Sequence, residues 1–579
     1  MNGSNDVSTE PQAKRGKIAP AVDLSVLAPH LLEEATIAEN RKRYVNAAPY
    51  SHCVFSPLCP TDLLTKVRDE IVGTLETKFK ETDLFKLYQT TDLANVDSTN
   101  PELAAKLPTL LQLRDALYSG PFRRMISRIA GCGELTDRVD MAASAYAEGC
   151  HLLCHDDVIG SRAVSFIIYF SAEDWTEKDG GALELFPLEK SSQTSFTRAD
   201  KSQLEQGVPS TIPAARLLPL FNTMAFFRVE PGRSYHAVQE VMREGSPRLS
   251  IQGWFHAASE PEGTEMASLN QLKIARAETE APVSIPGLTP KPEPQTAPDS
   301  EPPAVDTELT ADERAYLARF LNEAYLKDDA LQALSAKFED ESSLQLRKFL
   351  HPSLGDAVHG LCMDADVKSN LQLDGLPPDA TGMGGGWIAR GPAHMQRFLT
   401  FPEAVTAARL AGQKLHEIKT ELFQSTAFAK WLQRVTGGRL SAVTSQIRRF
   451  RPGLDYTVAH HGQLEKDIRL DVTLCFVREE SEQATAVWAS GDVGGFQCYL
   501  AAENEDNVAA EVYCDDDAEG NDLLSVSAST NTLSIVLRDT GTMRFVKYLS
   551  GCALSSRWDI LNVYDIAYDD DDEEDGDDE

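Results

Sequence analysis

Cys154-His155-Asp156-Asp157 is the stretch on which both the fold and the chemistry turn. His155 and Asp157 form an H-x-D pair. On a β-strand, residues i and i+2 share a face. A strand here therefore aims one imidazole and one carboxylate the same way. A second imidazole from a distant strand would complete two nitrogens and one oxygen on one face of a metal. That donor set, with open positions opposite, suits a non-haem Fe(II) that must bind a co-substrate and O2. With twelve His in the chain, about one such pair arises by chance at an Asp abundance of roughly one in twenty, so the surroundings must decide. Cys150 and Cys154 flank the pair without the C-x2-C spacing of a zinc site and read as small core residues.

A chain of 579 residues should hold two or three domains. No run approaches the roughly 18 apolar residues of a membrane span, so no membrane partner is expected. Met1 to Thr9 is polar and lacks an apolar signal core, and the ten Cys then read as reduced intracellular thiols. The net charge of −34 argues against indiscriminate binding to phosphates and leaves basic proteins as partners. No specific nucleic-acid binding is expected. From Asp569 to Glu579 every residue but Gly576 is acidic, an expected disordered tail that either solubilises the chain or docks a basic protein. Lys14-Arg15-Gly16-Lys17 is either a nuclear import signal or a chance basic cluster. The expected location is nucleus and cytoplasm.

Pro60 to Phe79 carries Leu63, Leu64, Val67, Ile71 and Leu75 at helical spacing, and Leu117 to Ile129 is a second helix candidate. Val139 to Cys154, then Val164 to Phe170, read as strands. Asp179-Gly180-Gly181 is a turn before a strand from Ala182 to Phe186, and Thr223 to Val229 and Leu249 to Phe255 are further strands. Helices followed by short strands indicate an α+β domain built on a β-sandwich or barrel. From Ala258 to Leu309 prolines punctuate a polar, acidic linker. Thr310-Ala311-Asp312-Glu313 is a capping box that opens a helix expected to run to Tyr325.

The second half repeats the first. Leu117-Tyr118, Phe122 and Ile129-Ala130-Gly131 match Leu422-Phe423, Phe428 and Val435-Thr436-Gly437. Gly180-Gly181 matches Gly494-Gly495, and Ser246-Pro247-Arg248-Leu249 matches Ser555-Ser556-Arg557-Trp558. The order is kept throughout, which indicates a duplicated fold. The chemistry is not kept: the positions of His155, Asp157 and His236 fall near Ala459, His461 and Phe545. The second copy is expected to be metal-free.

His236 follows the turn Glu230-Pro231-Gly232. Alone, a His there is an ordinary surface or core residue; after an H-x-D it is a candidate third ligand. Arg248 lies twelve residues later and opens a strand on which Arg248, Ser250 and Gln252 share a face. A buried Arg needs a partner. Either an intramolecular salt bridge supplies it, or the far carboxylate of a dicarboxylate co-substrate does, in a bidentate pair. Ser250 and Tyr169 could add hydroxyl donors.

The order H-x-D, strand, Gly-Gly turn, strand, His, Arg, Ser resembles the Fe(II)- and 2-oxoglutarate-dependent oxygenases, whose fold is a double-stranded β-helix. The prolyl hydroxylase branch is nearest in layout, although collagen-type members usually carry Lys where Arg248 stands. Phe85-Lys86-Leu87-Tyr88-Gln89-Thr90-Thr91-Asp92-Leu93, the run Leu153 to Arg162 with its His-Asp-Asp-Val-Ile-Gly-Ser-Arg core, the inert second copy and the acidic tail are similar to the ribosomal prolyl-3-hydroxylases. The likeness spans roughly residues 25 to 565. It implies two tandem double-stranded β-helix domains with flanking helices, and a prolyl 3-hydroxylase acting on the decoding-centre protein of the small ribosomal subunit, with effects on translation accuracy and termination. It also implies Fe(II), 2-oxoglutarate and O2 as cofactors, ascorbate as reductant, and translation-termination factors as further partners. His155, Asp157 and His236 would be the metal ligands, and Arg248, Tyr169 and Ser250 the co-substrate residues.

The expected domains are a disordered start at 1–20, a catalytic domain at 21–258, the linker at 259–309, a non-catalytic β-helix at 310–567 and the tail at 568–579. The alternative from another class is an oxygen-responsive scaffold that recruits basic ribosomal or nuclear proteins with little catalysis. Intact candidate ligands in one copy, against their loss in the other, favour the enzyme.

Overall fold

The computed structural model describes residues 22–94, 96–189, 207–263, 282–285, 308–371, 375–402, 410–460, 463–464, 467–502 and 522–568. The basic cluster at Lys14, the acidic tail, His461 and most of the proline-rich linker lie outside these residues. Two curled antiparallel sheets, each backed by helices, make an α+β chain of two tandem double-stranded β-helix domains.

The first domain's strands are β1 (His52–Phe55), β2 (Lys78–Glu81), β3 (Phe85–Gln89), β4 (Met141–Tyr146), β5 (His151–His155), β6 (Arg162–Tyr169), β7 (Leu183–Leu185), β8 (Leu188–Glu189), β9 (Val208–Pro209), β10 (Ala215–Leu217), β11 (Thr223–Arg228), β12 (His236–Val238) and β13 (Arg248–His256). The main sheet runs β1-β11-β6-β13-β4-β3-β5-β12-β7-β10, with β2 beside β3. It folds over on itself, so that the half from β1 to β4 faces the half from β5 to β10. Alternation sorts the side chains. Val164, Phe166 and Ile168 of β6, with Leu249, Ile251 and Phe255 of β13, pack against the helices. Ile167 and Tyr169, with Leu183, Leu185, Ala225 and Phe227, form a separate cluster inside the barrel. Burying each of the larger apolar side chains contributes about 1.5–3 kcal/mol, so this two-sided pattern fixes the register. A slip of one residue would exchange core and barrel lining.

Several elements differ in extent from the sequence expectation. The helix read from Pro60 to Phe79 is Thr61–Thr74, and the chain then turns into β2. The candidate from Leu117 to Ile129 is the end of one helix, Pro108–Leu117, and a second, Gly120–Ala130; the break falls where Ser119 caps the second helix by accepting from the Phe122 N–H. Val139 to Cys154 is two strands, β4 and β5, joined through β3, which pairs with both. The capping box at Thr310 and Glu313 is present, but its helix stops at Leu317. Inside the linker, Val283–Ser284 pairs with Val443 and Ala442, and Ile285 is buried in the second domain's core.

The duplication is visible in detail. Thr426–Thr436 is capped by Ser425 and closed by Gly437, as Gly120–Ala130 is capped by Ser119 and closed by Gly131; the two glycines take φ of 74° and 67°. Gly180-Gly181 and Gly494-Gly495 share the same left-handed pair, φ 68° and 69° in each.

Candidate metal centre

His155 and His236 are direct cross-strand partners on β5 and β12, and their ring centroids are 4.2 Å apart. The pairing slips between His236 and Val238, where β5 spends three steps from Leu152 to His155 against two on β12. This bulge re-aims side chains. Leu152 packs inward with Val238, Leu153 and Cys154 turn outward, and His155 points in again. Asp157 does not lie on the strand at all. It sits two residues beyond, at φ 63°, and that left-handed turn brings its carboxylate back under the imidazoles. The two side chains therefore meet, but not by the simple i, i+2 alternation expected of a strand.

The three residues offer ligand atoms within 4.8 Å of one another. Asp157 Oδ1 is 3.3 Å from His155 Nε2, and Oδ2 is 3.4 Å from His236 Nε2. Each histidine's Nδ1 lies against a backbone carbonyl, Leu153 O at 2.8 Å and Ser234 O at 2.9 Å. A carbonyl only accepts, so Nδ1 carries the proton and Nε2 keeps its lone pair for a metal. Burial opposes charge on Asp157, but positive charge at its oxygens, from the imidazoles when protonated and from a metal when they are not, holds the carboxyl well below its usual range. Asp157 Oδ2 also accepts from Trp254 Nε1 at 3.1 Å. Arg162 lies 3.5 Å over the Trp254 ring and reaches Asp140. Asp156, between the two candidate ligands, ties the two ligand loops together: its carboxylate accepts from Gly232 N at 3.0 Å and its carbonyl from Ser234 Oγ at 3.2 Å.

Arg248 is 1% exposed. Nε donates to Gly181 O at 2.7 Å and Nη1 to Ser250 Oγ at 3.3 Å, and the guanidinium lies between the rings of Tyr146 and Tyr169, 4.9 and 5.0 Å away. Register explains the gathering, since Arg248 pairs across the sheet with Tyr146, and Ser250 with Tyr169. Nη2 of Arg248 and the hydroxyl of Tyr169 are buried with at most each other as a loose partner, and among the described residues no carboxylate pairs with Arg248. Such orphaned groups are costly unless a ligand meets them. An anionic carboxylate fits both, which is what the distal end of 2-oxoglutarate offers. Trp254, and the contacts of Tyr146 and Gly181 with Arg248, went unread in the sequence. Trp254 shares the alternating face of Arg248, Ser250 and Gln252, which was the signal for it.

The second barrel closes the equivalent places. Arg557 also donates to a glycine carbonyl, Gly495 O, but its Nε lies 3.0 Å from Asp559 Oδ2, and Arg448 takes both oxygens of that carboxylate at 2.7 and 3.0 Å. By register, Asp559, Cys475 and Phe450 stand where the first barrel has Ser250, Tyr169 and Tyr146. By register Arg544, which pairs with Tyr499 as His236 pairs with Leu185, takes the place of His236, one residue before the Phe545 expected from the sequence, and its guanidinium meets the buried Asp471.

Residues 141–256 match the family described as 2OG-Fe(II) oxygenase superfamily, and residues 312–572 match that described as oxoglutarate and iron-dependent oxygenase degradation C-term. The chain is 36% identical over 90% of its length, and 96% of the relative's, to the prolyl 3,4-dihydroxylase OGFOD1 of Ostreococcus tauri. It is 24% identical to the prolyl 3-hydroxylase OGFOD1 of Xenopus laevis, over 87% of this chain and 84% of that one. Among solved structures, a Pseudomonas putida prolyl-4-hydroxylase aligns with 38% of this chain and 100% of its own at 18% identity and a TM-score of 0.26.

Proposed function

Since the chain belongs to the Fe(II)- and 2-oxoglutarate-dependent prolyl hydroxylases that these relatives represent, we propose that it hydroxylates C3 of a proline in the decoding-centre protein of the small ribosomal subunit, with His155, Asp157 and His236 as the iron ligands and Arg248, Tyr169 and Ser250 at the co-substrate's distal carboxylate. That it is a 2-oxoglutarate-dependent peptidyl-proline hydroxylase, using Fe(II), 2-oxoglutarate and O2, follows from the family. Among the described residues no helix is long and apolar enough to cross a membrane. The ribosomal substrate, a location in nucleus and cytoplasm, ascorbate as reductant and translation-termination factors as further partners are our reading, supported by the net charge of −34, which suits a basic protein substrate.

The observation that carries the site assignment is the pairing of a His-Asp-His cluster with a buried arginine that lacks an acidic partner, in the first barrel only. The bound metal, co-substrate and O2 supply the oxidation, in which 2-oxoglutarate is decarboxylated to succinate and CO2 and an oxygen atom is added to the prolyl carbon. The chain's own residues bind and orient. His155 and His236 present unprotonated Nε2 atoms, and Trp254 pins one oxygen of Asp157. Arg248, Ser250 and Tyr169 offer donors at the far end of the pocket. Phe227, with its ring 4.7 Å from that of His236, joins Ile167, Leu183 and Leu185 in an apolar lining that excludes water.

The test is intact mass spectrometry of the candidate ribosomal protein with and without this enzyme, alongside succinate formation. His155→Ala and Asp157→Ala should abolish the added oxygen and the substrate-dependent succinate while far-UV circular dichroism is unchanged. Full turnover by either variant would sink the site assignment, and an unmodified ribosomal protein would sink the substrate.

A further inference from the structure

The outer face of the ligand-bearing strands is not solvent. Leu153 clusters with Tyr456, Val458 and Tyr548 of the second domain, and Cys154 and Ala237 with Ala393. The His151 ring lies 4.2 Å from that of Tyr548. At the end of this contact stands Glu240, two residues past β12 and four past His236, 1% exposed. Its Oε2 accepts from Gly551 N at 2.7 Å and from Tyr548 Oη at 3.2 Å, and its Oε1 accepts from Ser550 Oγ. No Lys or Arg forms an ion pair with it among the described residues. Every hydrogen bond to this buried carboxylate therefore comes from one loop of the other domain.

The backbone of Glu240 faces the opposite way. Its carbonyl accepts from Gly181 N at 3.1 Å, and Gly181 O in turn accepts from Arg248 Nε at 2.7 Å. The approach is close enough that a Cβ on Gly180 would lie 2.0 Å from Glu240 O. One residue thus joins three things: the strand bearing His236, the glycine turn that holds Arg248, and the loop Tyr548 to Gly551. A buried carboxylate is tolerated only while its donors stay in place, so the three move as a unit.

We propose that Glu240 is a positioning residue through which the second domain, without ligands of its own, sets the geometry of the metal ligand His236 and the co-substrate residue Arg248. The proposal rests on the site assignment above. A purely adhesive contact would behave differently. Lys547 supplies the comparison: it belongs to the same interface, but its Nζ binds Thr82 O and lies 3.1 Å from Glu81 on the hairpin, and it bonds neither Glu240 nor a ligand residue.

The experiment uses the full chain. Co(II) affinity is measured by visible absorption without turnover, 2-oxoglutarate affinity on the Co(II)-loaded protein, and integrity by circular dichroism. Glu240→Gln keeps size but replaces an oxygen acceptor with an NH2 facing N–H and O–H donors. It should weaken Co(II) and 2-oxoglutarate by about 10-fold each, the scale of lost outer-shell support at metal sites, with the fold retained. Lys547→Met should leave both affinities unchanged. If Glu240→Gln does not fold, Ser550→Ala, which removes one donor to the same carboxylate, should weaken both affinities in the same direction. Wild-type affinities in a folded Glu240→Gln, or in Ser550→Ala where that variant stands in, would overturn the proposal alone, as would equal losses in Lys547→Met. Wild-type protein that binds no Co(II) would overturn the site assignment as well.

Discussion

Ser250→Asp would build into the first barrel the pairing that closes the second. In the second barrel Asp559 Oδ2 lies 3.0 Å from Arg557 Nε. Ser250 holds the matching place, and its Oγ is already 3.3 Å from Arg248 Nη1. An Asp there bonds the guanidinium and puts a negative charge where the co-substrate's distal carboxylate has to sit. Two hydrogen bonds to a charged group are then unavailable to the ligand, at roughly 1.5–3 kcal/mol each, or about 3–6 kcal/mol in all. At about 1.4 kcal/mol per decade this is on the order of 100- to 10,000-fold in affinity. The assay is anaerobic titration of the Co(II)-loaded protein with 2-oxoglutarate. Co(II) affinity itself should not change, because Ser250 makes no contact with His155, Asp157 or His236. Loss of 2-oxoglutarate binding with metal binding intact is the expected signature. A variant that binds 2-oxoglutarate as tightly as wild type would refute the role given to Arg248 and the meaning given to Asp559 in the second barrel.

Trp254→Phe removes the donor to Asp157 Oδ2 while keeping a ring under Arg162; Co(II) titration should show affinity down by about 10-fold, and no change would mean that the indole N–H does not hold the ligand. His151 is fully buried and held neutral, its pKa pushed down to about 3 by burial and by Lys547 nearby. Unfolding then takes up a proton below the ordinary value of about 6.5, so its contribution to stability is full above that pH and falls by at most about 1.4 kcal/mol per pH unit down to the folded value. His151→Leu should flatten thermal stability between pH 6.5 and 4 relative to wild type, and an unchanged slope would assign the acid sensitivity to other groups. Gly180→Ala places a Cβ 2.0 Å from Glu240 O at φ 68°, whereas Gly133→Ala, at φ 80°, meets nothing. Thermal unfolding should show the second losing only the left-handed penalty of about 1–2 kcal/mol and the first losing more; equal losses would mean that the backbone contact at Glu240 is slack.

What could be read from the sequence was what depends on residue order, and what could not was what depends on local backbone. His155, Asp157, His236 and Arg248 stood out by type and spacing, and the alternating strands from Val164 and Leu249 announced which faces were core. The bulge that turns His155 inward and the left-handed turn at Asp157 leave no periodic signal, since each breaks the period. The helix expected to reach Phe79 was too long because apolar spacing continues past Thr74 into a strand. Glu240 was invisible because its partners lie about 310 residues away in the other barrel.

The duplication corrects one inference more sharply than any single distance. Arg248 drew attention as a buried cation that needed a partner, yet Arg557 occupies the same place in the second copy and binds the matching glycine carbonyl. The Ser-capped helix and the Gly-Gly pair are shared too. These features belong to the fold, and finding them says nothing about activity. The discriminating positions are the ones at which the copies part: His236 against Arg544, and above all Ser250 against Asp559, which decides whether the arginine's charge is satisfied from within or left for a ligand. An arginine is thus evidence for a co-substrate only together with the absence of an acid two residues on. A folded chain carrying Ser250→Asp is the direct test of that rule.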